Sequence, residues 1–92
     1  MNRILKYEIV PRNQCISLPI GSRILSVGVQ GDQLYVWASV PETSDCHDWN
    51  VEVVPTGQIH QSWEDDSFRG TVHMHNGQLV FHVFIEKKKV NF

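Results

Sequence analysis

With 92 residues and 10.6 kDa, the chain has material for one hydrophobic core and not two. A composition of 41% hydrophobic and 20% charged residues is that of an ordinary folded domain, which excludes a disordered or low-complexity chain. A formal net charge of −2 supplies no field to draw the protein onto duplex nucleic acid or an anionic membrane surface.

Along the chain, Met1 to Lys6 meets charged residues before any apolar stretch of an export signal, and no run approaches the roughly 18 apolar residues of a membrane span. Tyr7-Glu8-Ile9-Val10 alternates and ends at Pro11, the pattern of a strand closed by a bend. Between Arg23 and Val40, Leu25, Val27 and Val29 alternate with smaller polar residues, and Leu34, Val36 and Ala38 return on the same face after Gly31-Asp32. A two-residue loop opening with glycine suits a primed hairpin turn, whose positive φ angles match strand twist. Pro41 to Asp48 is polar and predicts a loop over residues 41–48. Val51-Glu52-Val53-Val54-Pro55 repeats the first strand, and residues 58–67, around Trp63, show no alternation and predict a loop or one short helical turn. Val72 and Met74, then Asn76-Gly77, then Leu79, Phe81, Val83 and Ile85 spell a second hairpin. Glu86 to Phe92 extends the last strand with three lysines, which on an edge would discourage edge-to-edge pairing.

The two hairpins align without a gap. Ser26 to Leu34 lies over Thr71 to Leu79, and Tyr7 to Pro11 over Val51 to Pro55. The expected architecture is therefore all-β: one domain over 1–92, a small six- to seven-stranded antiparallel barrel or sandwich built from two duplicated strand-plus-hairpin halves, 4–40 and 49–86.

If the turns fix the register, Gly28 opposes Tyr35, Ser26 opposes Trp37, Thr71 opposes His82 and His73 opposes Val80. The outer faces then carry large side chains, Tyr35 and Trp37 on one hairpin, Val80 and Phe84 on the other. Such faces need cover, and a second copy of the chain is the favoured source, making a homo-oligomer the expectation. His73, His75 and His82 fall on one face, where three imidazoles could hold a metal. No carboxylate is predictably placed to orient them, so half-buried sheet histidines are the plainer reading, and neither metal nor cofactor is expected. Cys46-His47-Asp48 and Glu64-Asp65-Asp66 lack the through-space placement that catalysis or calcium binding demands, which predicts a protein without enzymatic activity. Two cysteines, Cys15 and Cys46, are too few for a disulfide framework and suit a reducing cytoplasm. What remains is a binding surface: Tyr35, Trp37 and Trp63 to stack on a flat ring, with Arg69, His73, His75 and His82 to meet an anion.

Lys6 to Ile9, Leu18-Pro19, Arg23 to Val27, Leu34 to Val40, Gly70-Thr71-Val72 and Leu79 to Phe84 together resemble a family of short phage and prophage proteins of unknown function. The likeness spans nearly the whole chain, in motifs of fold. One departure is at Ile85, where such chains tend to carry an acidic residue. The resemblance implies no site residues. It does imply action in a host cytoplasm, and with it a non-enzymatic phage protein that counteracts host defence by sequestering a nucleotide signal, a small anionic ligand. The alternative is an inhibitor or adaptor that docks on a host or phage protein through a strand edge or the Trp37 face.

Overall fold

A computed structural model of the chain describes residues 1–43, 45–61 and 63–89. Val90, Asn91 and Phe92, expected to continue the last strand, lie outside the described residues. The described chain is all-β, seven antiparallel strands and a single 3-10 turn at Asp65–Ser67. The strands are β1 (Asn2–Ile9), β2 (Gln14–Pro19), β3 (Arg23–Gln30), β4 (Gln33–Pro41), β5 (Cys46–Pro55), β6 (Phe68–Met74) and β7 (Leu79–Lys87). They form a three-stranded sheet in the order β1-β4-β3 and a four-stranded sheet in the order β2-β5-β7-β6. No ladder joins the two sheets among the described residues, so the barrel is not closed.

Both sheets contribute to one core. Ile9, Leu34, Val36, Ala38 and Val40 of the first sheet meet Leu18, Trp49, Val51, Val53, Val72, Phe81, Val83 and Ile85 of the second. Each fully buried aliphatic side chain of this kind contributes about 1.5–3 kcal/mol by leaving water, which is what holds two short sheets face to face. The shortest dimension of the molecule, 18 Å, suits two layers stacked about 10 Å apart. With β2 set aside, the strand order is the same in each sheet: the lone strand pairs with the second strand of the hairpin, 1-4-3 and 5-7-6. The like strands β3 and β6 come together between the sheets, and a Cβ on Gly70 would stand 3.2 Å from Val27 Cγ2.

Turn chemistry set the register as the sequence suggests. Gln30 opposes Gln33, Gly28 opposes Tyr35 and Ser26 opposes Trp37, with Gly31 and Asp32 both at positive φ (55° and 62°). In the second hairpin Thr71 opposes His82, His73 opposes Val80 and Met74 opposes Leu79. There the left-handed run begins one residue early, at His75 (φ 51°), and continues through Asn76 and Gly77.

Four expectations are corrected. The segment Gln14–Pro19, to which the sequence pattern assigns no strand, is strand β2, which pairs with the start of β5. That pairing recruits Cys46, His47 and Asp48 into β5, so the loop expected over 41–48 is confined between Pro41 and Cys46. Leu25 does not alternate inward with Val27. A bulge between Ile24 and Ser26 inserts it as the extra residue, 48% exposed. The lysine-bearing strand β7 is not an outermost strand: it lies between β5 and β6, with its ladder to β6 ending at Phe84 and its ladder to β5 reaching Lys87, after which Lys88 N–H donates to the Asp48 carbonyl at 2.9 Å.

Candidate functional site

Strand β5 is buried at Val51, Glu52, Val53 and Val54 in succession, covered on both faces. Val51 and Val53 oppose Ile85 and Val83 in the core. Glu52 and Val54 oppose Phe84 and His82, so they lie on the outer face of the four-stranded sheet. The described residues between β5 and β6, 56–61 and 63–67, bring His60 and Trp63 over that face. No second chain is needed to cover Phe84, contrary to the expectation from its alternation.

Phe84 is the anchor of this cover. Its ring lies 5.0 Å from that of His60 (17° between planes), 5.9 Å from that of Trp63 (23°) and 5.4 Å from that of Phe68 (57°). Offset and tilted pairs at these separations suit the quadrupoles of the rings. Two polar ties fix the loop. Trp63 Nε1 donates to Glu52 Oε1 at 2.5 Å, and the buried Ser67 hydroxyl donates to Glu86 Oε2 at 2.9 Å. Arg69, the extra residue of the bulge between Phe68 and Gly70, turns its Nε and Nη2 onto the Ile85 carbonyl at 3.0 and 2.8 Å. Burial lowers its pKa from the ordinary guanidinium value, with Asp66 pulling the other way.

His82 stands between two threonines, Nε2 2.7 Å from Thr56 Oγ1 and Nδ1 2.9 Å from Thr71 Oγ1. A neutral imidazole has one N–H and one lone pair, so one threonine accepts while the other donates. Two cavities flank the loop. One of about 290 Å³ is lined by Val54, Thr56, His60, Phe68, His82 and Phe84. Another of about 410 Å³, on the Trp63 side, is lined by Cys15, Asn50, Glu52, Gln61, Trp63 and Glu86.

The chain matches, over residues 1–91, the family described as Domain of unknown function (DUF7352). It belongs to that family. No curated protein and no solved structure matches it.

In this DUF7352 member the seven residues expected to form a binding surface do not come together, and Arg69 is held on the Ile85 carbonyl. Trp63 and His82 sit on the loop-covered outer face, with Phe84 between the cavities. Tyr35 and Trp37 lie on the outer face of the other sheet, ring centroids 6.1 Å apart, with Lys6 Nζ 4.4 Å above the Tyr35 ring. His75 leaves the face expected for it. Its left-handed backbone aims it at the neighbouring hairpin turn, where Asp32 accepts from His75 N–H at 3.0 Å and lies 2.9 Å from Nδ1. His73 is exposed on β6 opposite Val80. The three histidines therefore do not converge, and among the described residues no cluster of metal-binding side chains forms. Cys46, His47 and Asp48 alternate along β5, with His47 Nε2 2.9 Å from the Lys88 carbonyl.

His60, Phe68, Phe84 and Thr56 were not singled out as site residues from sequence. Phe84 carried a signal, a large apolar residue on the polar phase of its strand. His60 and Phe68 carried none, because their partners lie across a loop without periodicity.

Proposed function

We propose that the chain is a non-enzymatic binding domain that captures a flat heteroaromatic ring, the base of a nucleotide, in the cavity lined by His60, Phe68, His82 and Phe84. The observation that carries this reading is the chemistry of that cavity. His60, Phe68 and Phe84 line it with aromatic rings beside Val54 and Pro55, and the Thr56 hydroxyl, which His82 positions, keeps hydrogen-bonding capacity beyond that one bond. Small-molecule sites have this constitution, apolar and aromatic with a few placed polar groups, and about 290 Å³ suits a ring rather than a long ligand. The larger cavity is less suited to an anion, because Glu52 and Glu86 line it.

The base, rather than the phosphate, supplies the recognition. Arg69, expected to meet a phosphate, is occupied by the Ile85 carbonyl, which supports binding centred on the ring. The resemblance to phage and prophage proteins extends the proposal: a nucleotide captured in a host cytoplasm is a defence signal withdrawn. Calorimetric titration with nucleosides, nucleotides, cyclic nucleotides and ADP-ribose derivatives tests the reading. Nucleosides are expected to bind within about tenfold of the corresponding nucleotides, a difference of about 1.4 kcal/mol. No heat and no thermal shift from any of them refutes it.

A second reading rests on the other sheet. Its outer face carries Tyr35 and Trp37 beside Ile4, 66% exposed, and no described loop covers it. Docking of a host or phage protein there predicts a stoichiometric complex lost on Trp37→Ala and retained on Phe84→Leu. The opposite pattern favours the ring-binding cavity.

A further inference from the structure

Strand β1 is the outermost strand of the three-stranded sheet, and among the described residues nothing pairs with its far side. Alternate N–H and C=O groups of such a strand point away from its neighbour and offer a template for another strand. The other strand edges are protected. β3 and β6 carry bulges and face each other, and β2 is short and ends on Pro19. β1 has none of these devices. It runs from Asn2 to Ile9 without proline, and its ladder to β4 has no bulge. It also exposes an apolar side chain on each face, Ile4 at 66% and Leu5 at 41%. Lys6, the natural guard of an edge, leans inward over the sheet, its Nζ 4.4 Å from the Tyr35 ring centroid and 3.0 Å from Gln30 Oε1.

We infer that a second copy of this chain pairs here, β1 against β1 in antiparallel fashion, joining two three-stranded sheets into one of six strands. The register follows from symmetry and charge. A dyad normal to the sheet preserves its faces, so residues on the same face meet and one residue meets itself. A dyad at Lys6 sets two ammonium groups opposite each other. A dyad at Tyr7 relies on Ile9, already only 2% exposed. A dyad at Ile4 leaves Tyr7 and Glu8 outside the ladder. A dyad at Leu5 pairs the strand from Asn2 to Glu8 and opposes no like charges. It places Arg3 on Tyr7, Ile4 on Lys6, Asn2 on Glu8 and Leu5 on itself. Of these registers it gives the longest ladder that opposes no like charges.

One strand pair buries less than the roughly 1,200–2,000 Å² of a tight complex, so association belongs in the micromolar range. Sedimentation equilibrium from low-micromolar to sub-millimolar concentration is expected to show the mass rise from 10.6 kDa toward twice that value. Leu5→Glu places two carboxylates at the dyad and is expected to hold the chain monomeric. Ile59→Glu, in the loop and 100% exposed, is expected to dimerise as the parent does. Leu5→Cys, in a Cys15→Ser and Cys46→Ser background with a native circular dichroism spectrum, is expected to cross-link on mild oxidation, which decides the question even if Leu5→Glu misfolds. A mass fixed at the monomer value throughout, a folded Leu5→Glu that dimerises unchanged, or a folded Leu5→Cys that does not cross-link each overturns the inference.

Discussion

Replacing Phe84 by leucine keeps an apolar side chain on β7 and removes the ring that His60, Trp63 and Phe68 all contact, at 5.0, 5.9 and 5.4 Å. An aromatic pair contributes about 0.5–1.5 kcal/mol beyond the area it buries. The three pairs share one ring and do not add independently, so a total of about 1.5–3 kcal/mol is expected. For a domain of this size each kcal/mol moves the melting temperature by about 4–8 °C, which puts the fall at about 6–24 °C. The loss should be local in origin. The ladders of β7 to β5 and β6 stay intact, whereas the loop before β6 keeps Thr56–His82 and Thr56–Val80 at its start and Trp63–Glu52 and Ser67–Glu86 farther along. Calorimetry gives the melting temperature, and amide hydrogen exchange should show faster exchange between Gly57 and Gln61 with β4 unchanged. A melting temperature within about 2 °C of the parent, or exchange that rises equally in both sheets, refutes the claim that Phe84 anchors the cover.

Gly70→Ala is expected to cost about 1–3 kcal/mol, because the residue has φ +149° and a new Cβ would stand 3.2 Å from Val27 Cγ2 where β3 meets β6; chemical denaturation measures it. Asp32→Asn keeps the left-handed turn but removes the charge facing His75, and since both side chains are about half exposed, the loss in the same assay should stay within about 1 kcal/mol. Tyr7 has its pKa raised above 10.0, first by burial and second by the charge of Cys46. The fold therefore favours the neutral phenol, and this contribution is full below the unfolded value and lost as pH rises through the higher folded one. Denaturation above pH 10 should show stability declining in the parent and declining less in Tyr7→Phe, with ultraviolet titration locating the late-ionising tyrosine.

The hairpins were legible because their information is local. Gly31-Asp32 and Asn76-Gly77 fix positive φ within two residues, and alternation then carries the register outward to Trp37 and His82. Strand β2 was not legible, because Gln14–Pro19 lies close to Pro11 and ends at Pro19, and its partner β5 is more than two dozen residues away. The candidate site was half legible. Phe84 stood out on the wrong phase of its strand, but what covers it depends on a loop whose path is set by Glu52–Trp63 and Ser67–Glu86, contacts without a sequence period. His75 was misplaced for a related reason. Alternation assumes an extended backbone, and the left-handed run that begins at His75 ends the strand there and turns the ring toward Asp32.

The most direct test of the central claim is an NMR titration that follows aromatic and indole resonances as a nucleoside is added. Selective shifts of His60, Phe68, His82 and Phe84, with Tyr35 and Trp37 unmoved, are the predicted result. Shifts confined to Tyr35 and Trp37, or none at saturating nucleoside, would contradict it.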